Sequence, residues 1–129
     1  MRHLSRMRAL PLLALLLTLP LWADEASDRA AIAKTIAAFN NRDSPPSTVW
    51  APGVDGAEER AKLTGGPMSE VGAGRISIVA IQFPARRTAF VSATQTQFGS
   101  LFGVRSISLG IKMKRLRRGW RITEILPRQ

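Results

Sequence analysis

Arg105-Ser106-Ile107-Ser108-Leu109-Gly110-Ile111-Lys112-Met113-Lys114 alternates apolar and polar residues without a break. Side chains of a strand point to opposite faces in turn, so Ile107, Leu109, Ile111 and Met113 share a dry face. Ser106, Ser108, Gly110, Lys112 and Lys114 form the wet one, the signature of a half-buried antiparallel sheet. Upstream, Thr88 to Phe98 places Ala89, Val91 and Ala93 on one face, continued by Gln95 and Gln97. Phe90, Ser92, Thr94, Thr96 and Phe98 lie opposite. Downstream, the strand after Gly119 sets Trp120, Ile122 and Glu124 on one face by the same rule.

The run Arg75 to Phe83 breaks the alternation: Ile76 and Ile78 have one parity, Ile81 and Phe83 the other. Either both faces are covered, or one extra residue near Val79-Ala80 shifts the phase. A β-bulge does this and bends the strand, and it is the preferred reading. Pro84-Ala85-Arg86-Arg87, Gly99-Ser100 to Gly103, and Arg117-Arg118-Gly119 supply short reversals. Short connections make successive strands antiparallel. A four-strand meander follows.

The 129 residues suit one domain. Residues 1–23 read as a cleaved secretory signal peptide: Arg2, Arg6 and Arg8, then an apolar run from Ala9 to Trp22, then Ala23. That run is shorter than the ~18–20 residues of a spanning helix. The expectation is an exported chain, periplasmic or secreted, whose single domain covers 24–129. It meets a membrane only through the leader before cleavage. Without those three arginines the chain keeps 16 Lys+Arg against 9 Asp+Glu, a net +7.

Ser27 to Asn41 reads as an amphipathic helix capped by Ser27, with Ile32, Ile36 and Phe39 joined by Ala33, Ala37 and Asn40 in one stripe. Such a helix needs a partner, and the dry face of the sheet supplies one. Val49-Trp50-Ala51-Pro52 reads as a short strand or a buried loop. Gly56 to Leu63 reads as a second short helix, with Glu58 and Glu59 early and Lys62 late as the helix dipole favours. Gly65-Gly66-Pro67 stops it.

The chemistry is sparse. There is no Cys or Tyr, and the single His, His3, lies in the leader. This removes the commonest general base, the thiol nucleophile and a His/Cys metal site. Neither a phosphate-binding loop nor a nucleophile elbow occurs. No cofactor and no metal are expected, and catalysis is disfavoured. The one constellation is Gln95, Gln97 and Glu124 on faces that otherwise read as apolar. In a pocket with Trp120 and Trp50 they would form a polar floor, with Glu124 as a weak catalytic candidate. The alternative is that the three polar side chains sit at strand ends in water, the commoner state of such residues. Lys112 to Arg121 is strongly basic, but it lacks the interleaved aromatics of a single-strand platform, and nucleic acid is not an expected partner.

The residues Trp50-Ala51-Pro52-Gly53-Val54, Ser69-Glu70-Val71, Arg75-Ile76-Ser77-Ile78, Ala89-Phe90-Val91-Ser92-Ala93, Gln97-Phe98-Gly99-Ser100 and Gly119-Trp120-Arg121-Ile122 together resemble the NTF2-like superfamily, specifically SnoaL-like or DUF4440-like domains. The resemblance implies an α+β fold: a curved antiparallel sheet forming a cone-shaped barrel, covered by the N-terminal amphipathic helix and the short second helix. It also implies frequent homodimers through the outer face of the sheet. The Asp, His and Tyr residues of catalytic members have no clear counterparts, and residues 43–69 are shorter than the usual pattern, which leaves the cone partly open. The leading expectation is a non-catalytic module binding a small apolar ligand or a protein. The alternatives are a pocket enzyme of proton-transfer, isomerase or hydrolase type using Glu124, and a structural homodimer whose basic edge meets the anionic cell envelope.

Overall fold

The computed structural model describes residues 24–64, 72–99 and 103–127. The proposed leader, Gly65-Gly66-Pro67 and Ser69-Glu70-Val71 lie outside them. The chain divides into two compact units, residues 1–30 and 31–129. In the first, residues 24–30 are helical and carry an exposed Glu25–Arg29 ion pair at 3.0 Å. Helix α1 covers 24–40 of the described residues. Ser27 therefore lies inside it rather than capping it.

The second unit is α+β, with helices packed on a four-strand antiparallel meander ordered β1-β2-β3-β4. The strands are β1 (Gly72–Gln82), β2 (Thr88–Gly99), β3 (Gly103–Leu116) and β4 (Gly119–Pro127), and α2 spans Gly56–Thr64. Among the described residues the sheet is open, and the cone-shaped barrel implied by the resemblance is not formed. Ile32, Ile36 and Phe39 of α1 pack with Val91, Leu109, Ile111, Met113 and Ile122 in one core. Ala33 and Ala37 are exposed instead of completing the stripe. The buried line is Ile32, Thr35, Ile36 and Phe39, the spacing of one helical face.

Three register shifts bend the sheet. In β1, Ile78 pairs with Ala93 but Ala80 with Ser92, which makes Val79 the expected bulge residue. A second shift between Ala73 and Ile76 sets Gly74 and Arg75 against Thr96. A third lies in β4, where Lys112 pairs with Glu124 and Met113 with Ile122, leaving Thr123 as the extra residue. That insertion reverses the face of everything after it: Trp120, Ile122 and Ile125 are buried, and Glu124 is not.

Both edges of the meander are pinned from α1. Thr35 Oγ1 donates to Trp120 O of β4 at 2.8 Å. Asn40 Nδ2 donates to Ile76 O of β1 at 3.0 Å, and Asn40 Oδ1 accepts from Ile76 N at 2.8 Å. The rest of the outer edge of β4 is also served. Ala51 N donates to Ile122 O, Ile122 N to Val49 O, and Ile125 N to Glu59 Oε2. Val49–Ala51 is thus a buried loop making a single parallel bridge at Trp50. An edge served in this way offers few free groups to another strand.

Candidate functional site

A cleft of about 580 Å³ opens where the C-terminal end of α1, helix α2 and the bulged part of β1 meet. Each side chain reaches it for a local reason. Asp55 caps α2, accepting from Ala57 N and Glu58 N through Oδ1 at 3.1 and 3.2 Å. From α2, Ala57, Arg60 and Ala61 line the cleft. The Gly74-Arg75 bulge brings Arg75 to its rim, and the chain leaving α1 brings Arg42. Phe39 and Leu63 give the wall its apolar area.

Arg60 is held in place. Its Nη2 donates to Phe39 O at 3.0 Å, at the end of α1 where helical carbonyls lack partners. Its guanidinium carbon lies 4.0 Å from the centre of the Phe39 ring and 5.7 Å from that of Trp50. Phe39 and Trp50 meet edge to face at 5.7 Å. Burial, and secondarily repulsion from Arg42, lower the Arg60 pKa from its usual value. Arginine nevertheless stays charged at neutral pH.

Gln95 forms part of the cleft wall from β2 and is 1% exposed. Its Nε2 donates to Gly74 O at 3.1 Å, and its Oε1 is sealed from solvent with no hydrogen-bond partner among the described residues. Gly74 itself is required there: a Cβ would sit 2.5 Å from Thr96 O, a backbone atom. Gln97 is equally buried but serves the fold. Its Nε2 donates to Leu63 O near the end of α2 at 2.5 Å, and its Oε1 accepts from Arg105 Nε and Nη2 at 3.2 Å each.

Of the five residues singled out from the sequence, Gln95 is the one the structure brings to this cleft. Trp120 is buried against Phe83, ring centres 6.0 Å apart, and Trp50 is buried behind the cleft wall against Phe39. Glu124 does not share a face with Trp120 and Ile122 as expected. The Thr123 bulge turns it to the outer face, where it pairs with Lys112 at 3.3 Å and stays 42% exposed. Both glutamines are buried rather than at strand ends in water, because helix and bulge carbonyls require donors from the sheet. The arginines of the cleft were missed. They lie far apart in the sequence, and nothing in their local pattern links them.

A second charged feature lies at one end of the sheet. The β1–β2 and β3–β4 turns are neighbours there, tied by Arg115 N donating to Arg87 O at 2.8 Å. Arg86, Arg87, Lys114, Arg115, Arg117 and Arg118 are all exposed at this end. Among the described residues no group of His, Cys, Asp and Glu is arranged to hold a metal ion, and no helix is long and apolar enough to cross a membrane. No protein-family model matches the chain, and comparison with curated proteins and with solved structures gave no significant match.

Proposed function

We propose that this chain is an exported, non-catalytic small-ligand-binding module of NTF2-like type, with the cleft between α1, α2 and β1 as its binding site. The observation that carries the reading is a concave site of about 580 Å³ with both apolar and polar lining. That volume lies within the range of small-molecule sites. Placement of Glu124 in an exposed ion pair, away from the cleft, disfavours the proton-transfer alternative. The test is thermal unfolding of the chain, residues 24–129, across a library of small organic molecules. A ligand present at about a hundred times its Kd stabilises by roughly 2.7 kcal/mol, several degrees in a domain of this size. Failure of every compound to raise the Tm overturns the reading.

A second reading rests on the cations gathered at the end of the sheet: an outer-face homodimer whose basic end meets an anionic envelope surface. Phe98 and Val104, register partners 51% and 67% exposed, favour contact through that outer face. Sedimentation on vesicles with anionic headgroups tests the basic end. Binding should fall steeply as salt rises, because exposed charges are screened within about 8 Å at physiological ionic strength.

A further inference from the structure

We infer that the cleft takes an amphipathic organic anion. The inference rests on the ligand-binding reading above and names the ligand class.

Two observations specify that chemistry. Arg42, Arg60 and Arg75 reach one cleft from three separate elements, and no Asp or Glu among the described residues lines it. Arg42 and Arg75 are exposed at the rim, whereas Arg60 is fixed deeper by Phe39 O and the Phe39 ring. A guanidinium has five N–H donors in a planar fork. The bond to Phe39 O leaves Arg60 with others to offer, in the geometry that suits a carboxylate or a phosphate. An ordered cation with like charges beside it is completed by an anion.

The second observation is the apolar lining from Phe39, Ala57, Ala61 and Leu63, which suits a hydrocarbon body. Free inorganic phosphate meets the first demand alone, and a plain alcohol meets the second alone.

The experiment is calorimetric titration of the chain, residues 24–129, with decanoate, decyl phosphate, decanol and decylammonium. Decanoate or decyl phosphate should bind at least about tenfold more tightly than decanol, the discrimination expected of charge-assisted hydrogen bonds, and decylammonium should bind more weakly than decanol. Whichever of the two anions binds better identifies the head group. Arg42→Gln with Arg75→Gln, both at exposed positions, should bring decanoate down toward decanol. Equal binding of decanoate, decanol and decylammonium overturns the anion assignment and leaves the binding site standing. If none of the probes binds, and the library screen is also blank, the ligand-binding reading falls with it. The comparisons on the unsubstituted chain decide these outcomes even if a variant fails to fold.

Discussion

Replacing Asn40 with Ala should be among the more damaging single changes at a side chain that is not fully buried. The Asn40 amide acts as a substitute strand, giving Ile76 both an acceptor for its N–H and a donor for its C=O, at 2.8 and 3.0 Å. Ile76 is 4% exposed, so water replaces the lost partners poorly. Leaving a buried backbone group unpaired costs about 1–3 kcal/mol. With two groups in a partly buried setting, the loss should come to about 2–3 kcal/mol. For a domain of this size that corresponds to a drop in Tm of roughly 10–20 °C. Asn40→Asp keeps the acceptor and loses the donor, and should fall between the wild type and Ala. Urea unfolding with an unchanged m-value measures the loss, and amide exchange at Ile76 should accelerate selectively. Thr35→Val provides a comparison, since it removes one bond to the opposite edge of the sheet, Trp120 O, and should cost about 1 kcal/mol. If Asn40→Ala lies within about 0.5 kcal/mol of wild type, α1 does not hold the edge of β1 and the account of the fold fails at that joint.

Three further changes test other parts of the structure. Asp55→Ala should cost about 1 kcal/mol in chemical denaturation by removing the cap of α2, and Asp55→Ser should recover most of it. Gly74→Ala should destabilise more than Gly110→Ala. The new methyl at 74 meets a backbone oxygen, whereas at 110 it meets the far end of the Phe90 ring, which can swing away; overpacking that cannot relax costs roughly 1–3 kcal/mol. A double-mutant cycle on Lys112 and Glu124 should return less than about 1 kcal/mol, because both partners of that pair are substantially exposed; a larger coupling would mean Glu124 is not where the bulge puts it.

The meander was legible because its strands carry apolar markers on one parity. The Val79 bulge was legible for the same reason: Ile76 and Ile78 change parity with Ile81 and Phe83, which brackets the insertion between them. The bulge at Gly74-Arg75 left no such trace, since Gly72, Ala73 and Gly74 have too little side chain to mark a face. The Thr123 bulge did leave a trace: Ile122 and Ile125 are three apart, which in a regular strand puts them on opposite faces. Extending the alternation through Glu124 overrode that signal. Gln95 and Gln97 sat on the dry parity from the start. Their burial depends on where the carbonyls of Gly74 and Leu63 end up, which is set by tertiary structure rather than by strand pattern. The cleft depends on the same long-range arrangement, and it was legible only in Gln95.

The insertion at Thr123 bears directly on what the site can do. Without an extra residue after Ile122, the next side chain on the buried face would be Glu124, and its carboxylate would enter the core cluster in place of Ile125. An unpaired buried carboxylate there would cost several kcal/mol. The bulge replaces that arrangement with Ile125, fully buried, and moves the carboxylate to a pair with Lys112. It also shifts the next outward-pointing backbone N–H from 124 to 125, where Glu59 of α2 accepts it at 2.8 Å. One residue thus removes the acid from the buried face and supplies the anchor for the helix that carries Arg60. The charged groups that line the cleft are accordingly arginines, and among the described residues no carboxylate joins them.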